Sequence, residues 1–410
     1  MRKTVAIVGT LDTKEKEFLF LRDRIHEWNV DTLLVDCGVM RDPTIRPDVS
    51  ADEIARLGGA ELAELRSAQE RGRAVSVMGE GARVKLLELY KQGRIHGVIG
   101  AGGSSNTSIA AAAMRDLPVG VPKLIVSTFA SGDVSGYVGI NDVTMMHSVG
   151  DIEGINRLTS MILSNAAGAI AGMVLQRQST ICEKPTVGIT MFGVTTPAVK
   201  MIRSRLEARG FEVLVFHATG AGGRAMEALV KQGVIRGVID LTTTEIADEV
   251  VGGVLSAGAD RLRAGVITGI PQVISCGAID IVNLGPRESI PEEFRNRTLY
   301  MHTPQMTLMR TSVEENIRIA RLMIKMLEGV DPRRVTVMLP LKGVSMVDDE
   351  NAPFFDPEAD EAFRRTFIAE RPPALPVIEV EAHINSVQFA DAVVEEFLAN
   401  WECTYGRDTA

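Results

Sequence analysis

Short apolar runs alternate along the chain with longer segments in which apolar residues recur every three or four positions. Near the amino terminus the apolar runs cover residues 5–8 and 32–35, and an amphipathic segment covers residues 15–28 between them. Such runs are typical of parallel strands buried on both faces, and the amphipathic segments predict helices. The pattern predicts an α/β protein built from Rossmann-like, doubly wound parallel sheets.

The same alternation continues to the carboxyl terminus. Further strands are predicted at residues 75–78, 97–100, 123–127, 187–191, 212–216, 237–241, 273–275, 336–340 and 377–380. Further helices are predicted at residues 109–114, 152–175, 197–209 and 383–398. Strands that alternate with helices in this way favour a crossover topology over antiparallel hairpins.

Two segments of the first half return in the second half. KQGRIHGVI at 91–99 returns as KQGVIRGVI, 140 positions later, and TVAI at 4–7 returns as TVGI, 182 positions later. The offsets differ by about 42 residues, which predicts an insertion in the first copy, at about 39–73, that covers a site. We therefore expect two similar subdomains, residues 1–182 and 183–410, with a ligand-binding cleft between the two lobes.

Composition narrows the class of protein. A net charge of −9 argues against a nucleic-acid partner. The four cysteines have no close spacing that would indicate zinc or a dithiol, which favours a cytoplasmic location. The first residues leave no room for a signal peptide, and no stretch is long enough to span a membrane.

The first strand is followed by a sequence that can bind an anion. Thr10, Asp12, Thr13 and Lys14 follow Gly9 at the predicted start of a helix, whose unpaired amides attract negative charge. Ligands of open parallel sheets lie at the carboxyl ends of strands, which is where these residues fall. The alternative is that Asp12 or Thr13 only caps the helix.

A glycine-rich loop after residues 97–100 is the strongest single signal. Its amides and hydroxyls can surround phosphate or carboxylate oxygens, and it matches neither the P-loop nor the dinucleotide fingerprint. The candidate binding residues of this loop are Gly102, Gly103, Ser104, Ser105, Asn106 and Thr107. Asp133 could orient a hydroxyl or hold hydrated magnesium. Asp36 has the position at which such folds often bind a ribose.

Three strand ends of the second copy carry polar residues. His217, Asp240 and Glu245 could bind a metal or share a proton as catalytic groups, or the carboxylates could cap helices. The adjacent Gly222, Gly223 and Arg224 are typical of an anion loop, in which the guanidinium would hold a carboxylate or phosphate. Cys276 is either a nucleophile or a buried, inert thiol.

At these loops the chain resembles the Tm-one-like ATP-binding domain family. The resemblance covers nearly the whole chain and rests on residues 9–14, 102–108, 131–133, 191–197, 216–228, 240–253 and 340–345. It implies two similar α/β subdomains, ATP bound by residues 10, 12–14 and 102–107, and assembly into homodimers or higher homo-oligomers. Some relatives continue into a barrel resembling phosphoenolpyruvate hydrolases, so a separate barrel protein is an expected partner.

Three functional hypotheses follow. The first is a cytoplasmic ATP-binding protein, with or without magnesium, in which nucleotide occupies the strand-end cleft of the first lobe. The second is an enzyme that acts on a small carboxylated or phosphorylated metabolite in the interlobe cleft. The third is an interaction scaffold whose partner-competent shape depends on a ligand.

Overall fold

The computed structural model describes residues 2–176 and 184–406. The chain divides into two compact units, Met1–Thr180 and Ile181–Ala410, which we call unit 1 and unit 2. The predicted boundary between residues 182 and 183 lies outside the described residues. Each unit contains a parallel sheet with helices on both faces, so the predicted fold class is confirmed.

Unit 1 is a five-stranded parallel sheet in the order β2-β1-β3-β4-β5. Its strands are β1 (Thr4–Gly9), β2 (Asp31–Asp36), β3 (Gly97–Gly102), β4 (Lys123–Ser127) and β5 (Thr144–His147). Its helices are α1 (Leu11–His26), α2 (Ala51–Leu57), α3 (Leu62–Ala68), α4 (Arg71–Lys91), α5 (Ser104–Met114), α6 (Ser135–Val138) and α7 (Arg157–Leu175). Helices α1 and α7 cover one face of the sheet, and α2, α4 and α5 cover the other.

Unit 2 repeats this arrangement in a six-stranded parallel sheet. Its strands are β6 (Thr186–Met191), β7 (Glu212–His217), β8 (Gly237–Thr242), β9 (Gln272–Gly277), β10 (Ile281–Leu284), β11 (Leu299–Thr303), β12 (Met306–Arg310), β13 (Val335–Pro340) and β14 (Val377–Val380). Its helices are α8 (Thr196–Glu207), α9 (Ala221–Lys231), α10 (Thr244–Val251), α11 (Arg263–Thr268), α12 (Val313–Met326), α13 (Pro357–Glu370) and α14 (Val387–Tyr405). The parallel sheet runs β14-β13-β9-β8-β6-β7, and β10, β12 and β11 form a separate antiparallel sheet that the sequence analysis did not predict.

The predicted strand at residues 75–78 is wrong, because these residues lie inside α4. Ala74, Met78, Ala82 and Leu86 recur every four positions and are buried on one face of that helix. The helical period therefore prevails over the short apolar run VSVM. Gly81 lets α4 approach α2, since a Cβ there would overlap the carbonyl oxygen of Ile54.

Helix α7 contradicts the expectation that no segment is long enough to span a membrane. It has 19 residues and contains a window of mean hydropathy 1.6, so it is long and apolar enough to cross a membrane by length and composition alone. Its buried residues include Leu163, Ala167, Ile170 and Val174, which pack with α1 and the strands of unit 1. A helix that is buried in a protein core has the same length and apolar composition.

Candidate functional site

The candidate site lies in unit 1 at the carboxyl ends of β1 and β3, where the strand order reverses. Ligands of doubly wound sheets bind at this topological switch point. A cavity of about 800 Å³ opens there. Its lining residues are Thr10, Asp12, Thr13, Lys14, Cys37, Val39, Met40, Leu65, Arg66, Gln69, Glu70, Arg71, Ala74, Val75, Met78, Gly103, Ser104, Ser105, Asn106, Ile109 and Asp151.

Asn106 joins the starts of α1 and α5. Its Oδ1 accepts a hydrogen bond from the Thr10 amide at 2.9 Å, and its Nδ2 donates to Thr10 Oγ1 at 3.0 Å. The hydroxyls of Thr10 and Thr13 lie 2.7 Å apart. The two predicted loops thus form one wall, although Asn106 itself is buried and both polar atoms of its side chain bond to Thr10.

Helix α5 begins at Ser104, five residues earlier than predicted, and no side chain caps its first turn. The first amides of a helix have no intrahelical partner, and they carry the positive end of the helix dipole. Gly102 has φ of +147°, and a Cβ there would meet the side chain of Asn106 at 2.7 Å. The glycine therefore lets the chain turn directly from β3 into the open helix terminus.

Two cations line the same cavity. Lys14 has non-helical backbone angles (φ −128°, ψ 25°) in the first turns of α1, and it makes no ion pair with any described residue. Arg71, the first residue of α4, donates from Nε to Ser105 Oγ at 3.0 Å. Both cations occupy the positive ends of helices, where the dipole disfavours them and favours an anion.

Two buried carboxylates have different roles. Asp36 Oδ1 accepts from the amides of Leu11 and Gly38, at 3.0 and 2.8 Å, and burial raises the pKa of Asp36 to about 6. Asp36 is therefore committed to the backbone, which removes it as a ribose ligand. Asp12 accepts from the Met40 amide through Oδ2 at 2.8 Å, but its Oδ1 has no partner among the described residues.

The insertion supplies much of the cavity wall, as expected for a segment that covers a site. Val39, Met40 and Leu65 form its apolar part, and Val75 and Met78 of α4 extend it. These residues and Arg71 were not predicted from the sequence, because their positions depend on how α3 and α4 fold over the sheet. The only local signal that could have indicated Arg71 was the start of α4, which reads Arg-Gly-Arg and has no acidic residue in its first turn.

Three of the binding residues predicted in unit 1 do not line the cavity. Gly102 lies beneath it at the end of β3. Thr107 donates to the carbonyl of Gly103 at 2.9 Å and its hydroxyl lies 2.7 Å from Ser127 Oγ, so its side chain is used inside the fold. Asp133 is exposed and accepts from the Ser135 amide at 2.9 Å, which makes it a turn residue before α6.

In unit 2 the predicted catalytic carboxylates belong to a buried ion network. Asp240 contacts both terminal nitrogens of Arg261, at 2.5 and 2.7 Å, and Glu245 accepts from Arg261 Nε at 2.8 Å. Glu227 is the third carboxylate on this guanidinium, at 3.2 Å, and burial raises its pKa. Arg261 was not identified from sequence. Its bonds commit Asp240 and Glu245 to a structural role.

The predicted anion loop of unit 2 already holds an anion. Glu245 Oε1 accepts from the amides of Gly220 and Gly223 at 2.6 and 3.1 Å, at the start of α9. A Cβ at Gly223 would overlap the Glu245 carboxylate, and a Cβ at Gly222 would overlap the carbonyl of His217. The glycines are therefore required by packing within the protein rather than by an external ligand.

The remaining candidates of unit 2 do not complete a site. Arg224 donates to the carbonyl of Ser256 at 3.0 Å, and His217 is exposed, in edge contact with Phe192 at 5.5 Å between ring centroids. Within residues 2–176 and 184–406, no three His, Cys, Asp or Glu side chains are grouped to hold a metal ion. Burial raises the pKa of the Cys276 thiol, which agrees with the inert alternative.

The switch point of unit 2 is closed. Phe192 and Val194, at the end of β6, are buried in a cluster with Ile281 of β10, Leu308 of β12 and Phe354. Below them, the hydroxyls of Thr195 and Thr242 lie 2.8 Å apart. The antiparallel sheet of unit 2 thus covers, within unit 2, the sheet edge that corresponds to the cavity edge of unit 1.

The fold and site define an α/β protein with two Rossmann-like parallel sheets, of which the first has an open strand-end cavity. The chain belongs to the UPF0261 family. The model described as the N-terminal domain of this uncharacterised protein family matches residues 3–179, and the model of its C-terminal domain matches residues 184–401.

Relatives support this assignment over the whole length. A UPF0261 protein of Clostridium tetani is 47% identical over 400 residues, which cover 97% of this chain and 99% of that protein. The ToMV susceptible protein tm-1(GCR26) of tomato, Solanum lycopersicum, is 40% identical over 419 residues, covering 96% of this chain and 55% of the tomato protein. The resemblance seen in the loop motifs is therefore confirmed.

Among solved structures, a UDP-N-acetylglucosamine 2-epimerase aligns over 91% of this chain and 92% of its own, with 12% identity and a TM-score of 0.24. A similarity this low supports no conclusion about ligand or activity.

Proposed function

We propose that the protein binds ATP, as a magnesium complex, in the cavity of unit 1. The observation that carries the proposal is the convergence of Lys14, Arg71 and the uncapped start of α5 on one cavity. Phosphates bind at such termini because backbone amides point at them and the dipole favours their charge. The apolar wall from the insertion suits a base, since nucleotide pockets are mostly apolar with a few polar groups.

The charges of the cavity suit a metal-bound nucleotide better than a bare anion. Lys14, Arg66 and Arg71 are matched in number by Asp12, Glu70 and Asp151. Magnesium typically takes one or two protein carboxylates and completes its shell with phosphate oxygens and water. In such a complex the magnesium ion would face the carboxylates, and the phosphate oxygens would face the cations.

The enzyme hypothesis loses its proposed acid and base. Asp240 and Glu245 are held by Arg261, and His217 makes no contact with either. A general base must reach the proton it removes, and these groups are occupied.

Calorimetric titration with ATP, with and without magnesium, tests the proposal. Lys14→Ala is expected to weaken binding at least tenfold, which is about 1.4 kcal/mol. Lys16→Ala is the matched control, because Lys16 is on the same helix, is exposed and does not line the cavity. Equal ATP affinity in Lys14→Ala, Ser104→Ala and the unsubstituted protein would reject the proposal, as would the absence of ATP binding.

The proposal extends to the cytoplasmic location, to a homodimer or higher homo-oligomer, and to association with a separate barrel protein resembling phosphoenolpyruvate hydrolases. These rest on the family resemblance and on the acidic, cysteine-poor composition. Light scattering that gives a monomer mass would reject self-association. A pull-down from the native host that does not recover the barrel protein would reject it as a partner.

A further inference from the structure

An arginine reaches the second residue of the helix after the central strand in both units. In unit 1, Arg71 Nε donates to Ser105 Oγ at 3.0 Å, and in unit 2, Arg261 Nε donates to Glu245 Oε2 at 2.8 Å. Ser105 and Glu245 are separated by the same 140 positions as the repeated segments that precede them. The two positions therefore correspond, but only unit 2 has a carboxylate there.

The carboxylate of unit 2 satisfies a helix terminus as well as an arginine. Glu245 accepts from the first amides around α9 while it holds Arg261, and it is fully buried. In unit 1 the serine is neutral, so Arg71 has a hydrogen bond but no charge partner among the described residues. Arg73, two positions later, has such a partner in Glu64. The unpaired cation is thus specific to the cavity.

The two arginines in the first turn of α4 are unfavourable for the start of a helix unless an anion binds there. The helix has 21 residues, begins with Arg71, has a second arginine in its first turn and no acidic residue there. Cations at this end oppose the dipole. Glu64 and the N-cap residue Glu70 offset the charge of Arg73, whereas Arg71 has no ion pair with any described residue. A local rule broken at one such position points to a functional constraint.

Asp12 gives an independent indication of a ligand in the same cavity. Its side chain lines the cavity but is only 3% exposed, and its Oδ1 has no hydrogen-bond partner in the part of the chain that the structure describes. A buried carboxylate oxygen left without a partner is costly, and it is satisfied by a donor or cation brought by a ligand.

We infer that a phosphate group of the ligand is, in unit 1, the charge partner of Arg71, as the Glu245 carboxylate is of Arg261 in unit 2, and that it lies between Arg71 and the first turn of α5. Arg71 is then an anion-binding residue that the insertion delivers to the site. Its bond to Ser105 positions the guanidinium before the ligand arrives. This inference rests on the proposed nucleotide site but concerns its anion-binding residue, so the two can fail separately.

The first experiment measures calorimetric binding of ATP and of inorganic tripolyphosphate. Arg71→Ala is expected to weaken both at least tenfold, and Arg71→Lys is expected to recover part of the loss. Arg56→Ala is the control, because Arg56 belongs to the insertion, is exposed and does not line the cavity. Unchanged affinity for both probes in Arg71→Ala would overturn the inference.

The second experiment supplies the missing carboxylate. Ser105→Glu is expected to abolish tripolyphosphate binding and to raise the melting temperature of the ligand-free protein. Combining it with Arg71→Ala is expected to remove that gain. Ser76→Glu, which adds the same charge at an exposed position of α4, is expected to change neither quantity. Normal tripolyphosphate binding by a folded Ser105→Glu protein would overturn the inference.

The outcomes separate the two proposals. Loss of ATP binding in Lys14→Ala but not in Arg71→Ala would leave the nucleotide site standing and reject the role of Arg71. Tripolyphosphate binding that depends on Arg71, without ATP binding, would reject the nucleotide and keep the anion-binding residue. If neither probe binds, both proposals are rejected.

Discussion

The carboxyl edges of the two parallel sheets have the same strand order around the switch point, but one edge holds a cavity and the other a buried apolar cluster. In unit 1 the edge between β1 and β3 is an open cavity, lined by Thr10 and Asp12. In unit 2, at an offset of 182 residues, Phe192 and Val194 are buried under the antiparallel sheet. The same backbone plan therefore supports an open cavity in one unit and an additional core in the other.

The comparison shows that a glycine-rich helix terminus does not by itself predict an external ligand. Both units place such a terminus at a strand end, and both attract negative charge. In unit 2 the negative charge at the start of α9 is the carboxylate of Glu245. In unit 1 the residue that corresponds to Glu245 is the neutral Ser105, in the first turn of α5. An internal anion therefore satisfies the terminus in unit 2, whereas no side chain caps the terminus in unit 1.

The largest expected effect comes from removing the cation of unit 2. Arg261→Met leaves Asp240, Glu245 and Glu227 buried without their partner, which costs about 3–5 kcal/mol of the free energy of unfolding. Urea unfolding followed through the buried Trp401, in a Trp28→Phe background, reports on unit 2.

Arg203→Met is the control, since Arg203 forms an exposed pair with Glu207 worth at most about 1 kcal/mol. Equal losses in the two variants would show that the buried network does not stabilise unit 2.

The second prediction tests the apolar closure of the switch point. Phe192→Thr, which introduces the residue of the corresponding position in unit 1, is expected to cost about 3 kcal/mol because a buried ring is lost. It is not expected to create ATP binding, since Glu245 still occupies the helix terminus. Phe355→Thr, at a side chain that is 47% exposed, is the control and should change stability by less than about 0.5 kcal/mol. New ATP binding in Phe192→Thr would contradict the comparison.

The third prediction contrasts two glycines of the predicted anion loops. Gly223→Ala is expected to cost about 1–3 kcal/mol, because its Cβ would overlap the Glu245 carboxylate. Gly103→Ala is expected to leave stability nearly unchanged and to weaken tripolyphosphate binding, since the nearest atom to its Cβ is 3.8 Å away and the cavity is in front of it. Thermal unfolding and calorimetry measure the two effects, and the reverse pattern would assign the ligand to unit 2.

The smallest expected effect concerns a second buried arginine at the strand ends of unit 2. Arg310 lies among Asp280, Asp348 and Asp360, and burial raises the pKa of Asp348 from 3.8 to about 9. The folded state therefore keeps a proton that the unfolded chain has lost, so this group's contribution to stability falls as pH rises from about 4 through about 9.

Asp348→Asn removes that titration and keeps an oxygen to accept from the Val344 amide. Relative to the unsubstituted protein, its free energy of unfolding is expected to increase as the pH is raised from 6 to 8, because the variant lacks this pH-dependent loss of stability. Guanidinium unfolding at both pH values measures the difference. A difference that is constant with pH would contradict the protonated state of Asp348.

The parts of the site that were predictable are those in which local sequence and strand periodicity coincide. Thr10, Lys14 and Ser104 follow apolar runs directly, so their position at the strand ends follows from a parallel sheet. Arg71 and Arg261 could not be predicted in this way. Each makes its decisive contact with a residue far away in sequence, 34 positions for Arg71 and 16 for Arg261.

By itself the sequence determined the α/β class, the duplication, the insertion and the glycine-rich, polar composition of the strand ends. These properties depend on local periodicity and on residue types at helix starts, which short segments carry. Only the tertiary structure decided which strand end stays open, because that depends on which distant side chains cover it. Glu245 with Arg261, and Phe192 under the antiparallel sheet, close unit 2. The helices of the insertion leave about 800 Å³ open in unit 1.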